Sequence, residues 1–281
     1  MPLLKKRSIM FLVLSTFFLC FCLGIYAIFI EPFRVKITQY DLKSNQWQND
    51  TALNVAVIAD PHMIWPWMSL KHMQRIVEKT NAIKPDLILL LGDYVATHPF
   101  GLQISPSKAV EVFENFKAGC GVYAVLGNHD WHPDVGWPSA FSASQIPILR
   151  NQAISLQCHN QSFWIAGLED LWWQKASIKE TKLQITNNDP VILMMHNPDS
   201  FPDVPKDIML TISGHTHGGQ IRLPWIGALP FVIPSKYGLR YAYGHIQEDG
   251  KNLVVSGGLG NSGIPARFLR TPEIVLIHVT K

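Results

Sequence analysis

The chain has 281 residues, of which 47% are hydrophobic and only 16% charged, and its formal net charge is +3. That length suits one large domain or two small ones, and the low charge points to a membrane-associated part. Lys and Arg are dispersed rather than blocked, which leaves nucleic-acid binding without support; four cysteines with no Cys-x-x-Cys spacing argue against a disulfide framework and leave the redox compartment open.

Residues 1–8 are a short basic N-terminus. From Ile9 to Ile30 no residue is charged, and Phe, Leu, Ile and Val dominate. As a helix this run spans a hydrocarbon core of about 30 Å, and it is longer than the apolar part of an ordinary signal peptide, so residues 9–30 predict one transmembrane helix. Lys5, Lys6 and Arg7 precede the span, whereas Arg34, Lys36 and Lys43 follow it. The positive-inside rule then leans toward a cytoplasmic N-terminus. The expected location is the cell (inner) membrane, single-pass, with the body of the protein extracytoplasmic.

Residues 31–51 read as a linker, polar and loosely ordered from Lys43 to Thr51, ahead of a single domain over residues 52–281. Asn54–Asp60 (NVAVIAD) reads as a buried strand ending in a carboxylate. Leu70, Met73, Ile76, Val77 and Thr80 fall at helical spacing within Ser69–Ala82, Pro85 marks a stop, and Asp86–Asp93 (DLILLLGD) is a second strand, ending in Gly-Asp. Strand, helix, strand implies parallel pairing. A second helix over Ser107–Lys117 leads to a third strand, Gly121–Gly127, which runs into Asn128-His129-Asp130. Three strands thus present polar residues at one edge, where open α/β sheets place their ligands. Further on, Ile154–Cys158, Phe163–Gly167, Val191–Met195, Ile208–Ser213, Leu253–Ser256 and Ile274–Val279 read as strands with few helical patterns between them. The fold class is α/β, with two facing sheets and flanking helices.

Five segments carry the chemistry: Asp60-Pro61-His62, Gly92-Asp93, Gly127-Asn128-His129-Asp130, His196-Asn197 and Gly214-His215-Thr216-His217. Each begins where an apolar strand ends. An Asp-x-His or His-x-His pair on an extended tip points both side chains to one side and can chelate. One such residue alone reads as a turn or a helix cap. Five in series read as a metal site.

In this pattern the sequence resembles the calcineurin-like metallophosphoesterase superfamily, from about Leu53 to the C-terminus. HNPDSFPDV (His196–Val204), SGHTHGGQIRLP (Ser213–Pro224) and GLGNSGIPARFLRTPEIVLI (Gly258–Ile277) look like its bacterial YkuE/YaeI-type, exported or membrane-anchored phosphodiesterases. Where that subfamily often has Arg before the Gly-Leu-Gly turn, this chain has Gly257, so a phosphate contact from that position is not carried over. The resemblance implies a four-layer αββα sandwich of two mixed sheets. It also implies that Asp60, His62, Asp93 and His217 hold one metal ion and that Asp93, Asn128, His196 and His215 hold a second, with Asp93 as the bridge. Imidazole, carboxylate and amide ligands favour Mn, Fe, Zn or Co over Mg or Ca.

Two such divalent metal ions, roughly 3.5–4 Å apart, would activate a bridging hydroxide for in-line attack on phosphorus, with no Ser or Cys nucleophile. His129 is the candidate for stabilising the transition state and protonating the leaving oxygen. Asp130 either orients His129 or is a simple turn carboxylate. His72, His98, His132, His159, His245 and His278 have no partner at ligand spacing and read as ordinary surface or satisfied side chains.

Trp65, Trp67, Trp131, Trp137, Trp172 and Trp173 fall in or beside loops, where they either pack locally or suit an acylated substrate. Arg222, Arg240 and Arg267 read as solvated surface, with phosphate binding as the alternative. The expected activity is metal-dependent phosphodiesterase action on a phosphodiester or pyrophosphate of a lipid-linked or small-molecule substrate. UDP-2,3-diacylglucosamine, a cytoplasmic intermediate of lipid A synthesis, is the alternative substrate. The alternative of another class is a non-catalytic metal-binding interaction module, and ligand completeness disfavours it.

Overall fold

The computed structural model describes residues 2–96, 99–131 and 136–281, with side chains from Ser8 onward. His98, His132 and the side chains of Lys5, Lys6 and Arg7 lie outside the described residues. In chain order the elements are α1 (Pro2–Phe29), β1 (Lys36–Lys43), β2 (Leu53–Ile58), β3 (Ile64–Trp65), α2 (Leu70–Ala82), β4 (Leu87–Leu90), β5 (Leu102–Gln103), α3 (Pro106–Phe113), β6 (Val122–Ala124) and α4 (Trp137–Ser142). There follow β7 (Gln152–Cys158), β8 (Gln161–Gly167), α5 (Ile178–Lys182), β9 (Val191–Met194), β10 (Leu210–Ser213), β11 (Arg222–Leu223), β12 (Gly227–Ala228), β13 (Gly244–Glu248), β14 (Lys251–Val255) and β15 (Glu273–Thr280).

Two mixed sheets face each other, one in the order β1-β15-β2-β4-β6 and the other β13-β14-β10-β9-β8-β7. The two-residue period of a strand explains how short apolar runs fill three cores at once. Val55, Val57, Leu87 and Leu89 point between the sheets, where Phe163, Ile165, Ile192 and Ile212 meet them. Their neighbours Ala56, Ile58, Ile88 and Leu90 point the other way, into a core closed by Met73, Ile76 and Val77 of α2 and Ala109 and Phe113 of α3. Beyond the second sheet, Trp164, Leu193 and Val255 pack with Phe201 and Tyr241. That outer layer is thin: one short helix, α5, the turn Pro198–Asp203 and the chain around Tyr241 cover it.

The segment expected as a linker is partly a strand. All eight residues of β1 pair in parallel with β15, from Lys36 opposite Glu273 to Lys43 opposite Thr280. Only Leu42 of β1 is fully buried, and Lys36, Thr38, Gln39, Asp41 and Lys43 give the polar composition of a linker. An edge strand needs little apolar side chain, because its partner supplies the ladder.

Although the cysteine spacing shows no framework, Cys120 and Cys158 form a disulfide, with their Cα atoms 5.7 Å apart. Cys120 precedes β6 at the edge of the first sheet, and Cys158 ends β7 at the edge of the second. The bond therefore staples two edge strands that no hydrogen-bond ladder joins. Cys120→Ser/Cys158→Ser protein is expected to lose about 2–3 kcal/mol of stability, because the unfolded chain regains the entropy of an open loop. Thermal unfolding with and without reductant checks this; coincident transitions would contradict it.

Candidate metal centre

The five polar tips converge at the carboxyl edge of both sheets. Backbone hydrogen bonds lock them together: Asp60 donates to Gly92, His62 to Asp93, and Gly214 to His196. Across the gap between the sheets, the His215 N–H donates to Asp60 Oδ1 at 2.9 Å. The glycines of these motifs are steric requirements. A Cβ on Gly127 would lie 2.2 Å from Asp93 Oδ1, and one on Gly214 would lie 2.6 Å from Asp60 Oδ2. Asp60, His62, Asp93, His215 and His217 all hold positive φ, from 43° to 71°. Such left-handed conformations cost non-glycine residues free energy and mark segments the surrounding fold holds in place.

The side chains fall into two buried triads, Asp60 with His62 and His217, and Asp93 with His196 and His215; within each triad the candidate ligand atoms lie within 4.8 Å of one another. Asn128 Oδ1 joins the second at 3.1 Å from His196 Nε2. Asp93 stands between the triads, its Oδ2 lying 3.2 Å from His196 Nε2 and 3.8 Å from His62 Nε2. Its Oδ1 accepts the backbone N–H of His129. One carboxylate oxygen therefore faces both triads.

Whether these residues fit cations is decided by the protons. His62 Nδ1 contacts the Val95 carbonyl at 2.7 Å, His196 Nδ1 the Leu91 carbonyl at 2.7 Å, and His215 Nε2 the Pro234 carbonyl at 2.8 Å. A carbonyl only accepts, so in each neutral ring it fixes the proton on the outer nitrogen and leaves the inner lone pair free to ligate. These inner nitrogens face others, with His62 Nε2 and His217 Nε2 3.0 Å apart and His215 Nδ1 3.2 Å from His196 Nε2. Ring nitrogens gathered this closely, with a buried carboxylate in each triad, are placed to share a cation. Asp60 Oδ2 is buried with no hydrogen-bond partner, and burial pushes the Asp60 carboxyl up to about 7. A positive ion is the missing counter-charge. Burial holds His62 and His215 down at about 3, so both stay neutral and able to ligate, whereas Asp93 and Asp60 outweigh burial at His196 and push it up to about 10, so a cation there takes the place of its inner proton. The donor set therefore fits two divalent cations.

Around this centre the structure sorts the other expectations. His129 is half-buried with Nε2 3.8 Å from Asp93 Oδ2, and its ring reaches the cavity above the triads. Asp130 does something else than orient it: its carboxylate accepts the backbone N–H groups of Asp93, Tyr94, Val95 and Gly127 at 2.8–3.2 Å. Asp130 thus holds the Asp93 loop to the Asn128 loop. Arg267, expected at the surface, is completely buried. It donates to the Gly257, Gly260 and Arg270 carbonyls and sets Nη2 3.2 Å from His217 Nδ1. Nothing local in the sequence separates it from the half-buried Arg222 or the exposed Arg240, which pairs with Glu248.

The loop tryptophans part company. Trp137 is buried among Tyr94, Phe113 and Phe141, Trp131 lies under Arg150, and only Trp172 touches the centre, edge-on to His215 at 4.6 Å. Of the histidines expected to be ordinary, His72 is buried against Phe33, His159 pairs with Asp86, and His245 and His278 bond Asn252 and Asn54. A cavity of about 500 Å³ opens over the triads, bounded by Asp93, His129, Trp172, His217, Ile221 and Leu229.

Comparison with known proteins agrees with this geometry. The chain is 30% identical over 260 residues to the metallophosphoesterase YkuE of Bacillus subtilis, covering 89% of this chain and 87% of that protein. It is 32% identical over 206 residues to the phosphodiesterase YaeI of Escherichia coli, covering 70% and 71%. A metallophosphoesterase of Aquifex aeolicus shares 24% identity over 269 residues, covering 93% and 98%. Residues 53–219, which span all five polar tips, match the calcineurin-like phosphoesterase family model. With two sheets converging on two triads and that match over more than half its length, the chain belongs to the calcineurin-like phosphoesterase family.

Proposed function

We propose that the protein is a membrane-anchored phosphodiesterase of the YkuE/YaeI type that hydrolyses a phosphodiester or pyrophosphate of a lipid-linked or small-molecule substrate. The observation that carries this reading is Asp93, whose one free oxygen lies between the two triads. Asp60, His62, Asp93 and His217 would hold one cation, and Asp93, Asn128, His196 and His215 the other. When bound, such a pair supplies charge neutralisation for a phosphoryl group and an activated water.

The protein's own contribution is orientation and proton transfer. Backbone carbonyls hold three imidazoles by their outer N–H, so their inner nitrogens are preorganised. His129 stands beside Asp93 but its ring reaches the cavity, so it is placed to donate a proton to a leaving oxygen. The leaving alkoxide departs as an alcohol, and the phosphoryl group keeps the oxygen from water. His129→Ala is expected to lower kcat on a generic aryl phosphodiester by about 100-fold or more with metal content unchanged. An unaltered kcat would remove His129 from the chemistry. Faster turnover of an aryl monoester than of the diester would overturn the phosphodiesterase assignment.

Two observations support membrane anchoring. Ser8–Phe33 has a mean hydropathy of 2.4, and Phe11, Leu12, Phe17 and Phe18 project from α1 uncovered by the rest of the fold. The end of the helix is built into the domain: Arg267 N–H donates to Ala27, the Trp67 indole to Ile28, and Leu269 N–H to Glu31. A cleaved leader would take those contacts with it. The Cys120–Cys158 bond supports an extracytoplasmic domain, since cytoplasmic thiols are kept reduced. By the same argument it weighs against UDP-2,3-diacylglucosamine.

A further inference from the structure

The chain between β11 and the turn at Val232 presents an apolar surface that the fold leaves uncovered. Trp225 at the tip of the β11–β12 hairpin is fully exposed in the left-handed conformation, Phe231 is 82% exposed, and Ile226 is 68% exposed. Side chains of this size in water are expensive, and together they make a patch rather than scattered surface residues. The same segment forms one wall of the cavity over the metal centre, through Leu223, Leu229 and Val232.

Its position relative to α1 is fixed by hydrogen bonds. Arg222 N–H donates to the Phe268 carbonyl, and Phe268 N–H donates to Gln220. The Phe268 ring packs edge-on against Tyr26 of α1 at 6.3 Å, and the preceding Arg267 N–H donates to Ala27. One residue thus separates the root of the hairpin from the end of the apolar helix. Charge points the same way: from Ile208 to Gln247 the chain has no Asp or Glu but carries Arg222, Lys236 and Arg240. Indole at a tip, cations at the base and no carboxylate is the composition of a segment resting among anionic headgroups.

We propose that the Arg222–Val232 segment docks into the interfacial layer of the bilayer that α1 enters, with Trp225, Ile226 and Phe231 below the headgroups. The occupant of the patch is lipid. The cavity over the metal centre then opens at the membrane surface, and a phosphoester carried by a lipid reaches the triads without leaving the headgroup layer. This rests on the reading of α1 as a membrane span, and the test separates the two.

The full chain, with Cys20→Ser and Cys22→Ser, would carry an environment-sensitive fluorophore at Phe231→Cys, or at Ile226→Cys as an independent second site. Companion probes sit at Phe18→Cys within α1 and at Asn188→Cys, an exposed residue before the start of β9, at the end of the sheets away from the metal centre. Each is reconstituted in phosphatidylcholine–phosphatidylglycerol vesicles containing nitroxide-bearing lipids. Probes at 231 and 226 are expected to be quenched several-fold more strongly by shallow nitroxides than the probe at 188, while the probe at 18 responds to deep ones. Quenching at 18 with 231 and 226 as silent as 188 overturns the docking and leaves the span standing, with a protein partner then the cover for the patch. Silence at 18 overturns the span itself. Equal quenching at 188 and 231 shows unoriented adsorption and also overturns the docking.

Discussion

Asp93→Ala protein is expected to lose at least about 1,000-fold in turnover of an aryl phosphodiester, well beyond the roughly 10–100-fold that loss of an outer-shell partner costs a metal site. The reason lies in what one side chain does. Its Oδ2 faces His196 from one triad and His62 from the other, and its Oδ1 receives the His129 N–H. On the proposed ligand assignment, removing it would take a shared anionic ligand from both sites, and it would loosen the backbone that aims His129. Burial alone would push the Asp93 carboxyl up, but His196, His129 and His62 around it hold it well below the usual carboxylate range. Metal content should fall below two ions per chain while far-UV circular dichroism is unchanged. Full turnover by this variant would remove the dinuclear account.

Arg267→Met is expected to give the largest loss of stability, about 4–6 kcal/mol, because it strips hydrogen bonds from three buried carbonyls while roughly keeping the volume. Those carbonyls belong to Arg270 and to Gly257 and Gly260, whose turn runs against Ala59 and Asp60. For a domain of this size such a change lowers Tm by roughly 10–20 °C. Arg267→Lys is expected to recover little, since an ammonium cannot reproduce a planar fork serving several acceptors. His217 loses the group that packs against its Nδ1, so metal affinity should fall by about 10–100-fold as well. Unfolding of the detergent-solubilised variants measures the first effect and metal titration the second. A variant as stable as the native chain would mean that water replaces the guanidinium.

The parts of this protein that were legible in its sequence are those where side-chain type repeats with backbone period. Asn54–Asp60, Asp86–Asp93 and Gly121–Gly127 could be read as strands because both faces are buried in the first two and partly covered in the third, so apolar residues run on until a polar tip. The ligand candidates were legible because each tip follows such a run. What escaped depends on partners far away in the chain. β1 looks like a linker since its one buried side chain, Leu42, carries no pattern, and its ladder comes from a strand at the C-terminus. Cys120 and Cys158 are 38 residues apart, and only the facing of two sheet edges joins them. Asp130 was expected either to orient His129 or to cap a turn, yet the loop after Gly92 brings three backbone N–H groups to it. Trp225 lies in a stretch of Pro, Gly and apolar residues that has no helical or strand period.

Turnover against metal occupancy tests the central claim most directly. Protein stripped with chelator and titrated with Mn is expected to hydrolyse an aryl phosphodiester in proportion to chains carrying two ions, with little activity at one. Maximal turnover at one ion per chain, or none at two, would contradict a two-cation centre built around Asp93.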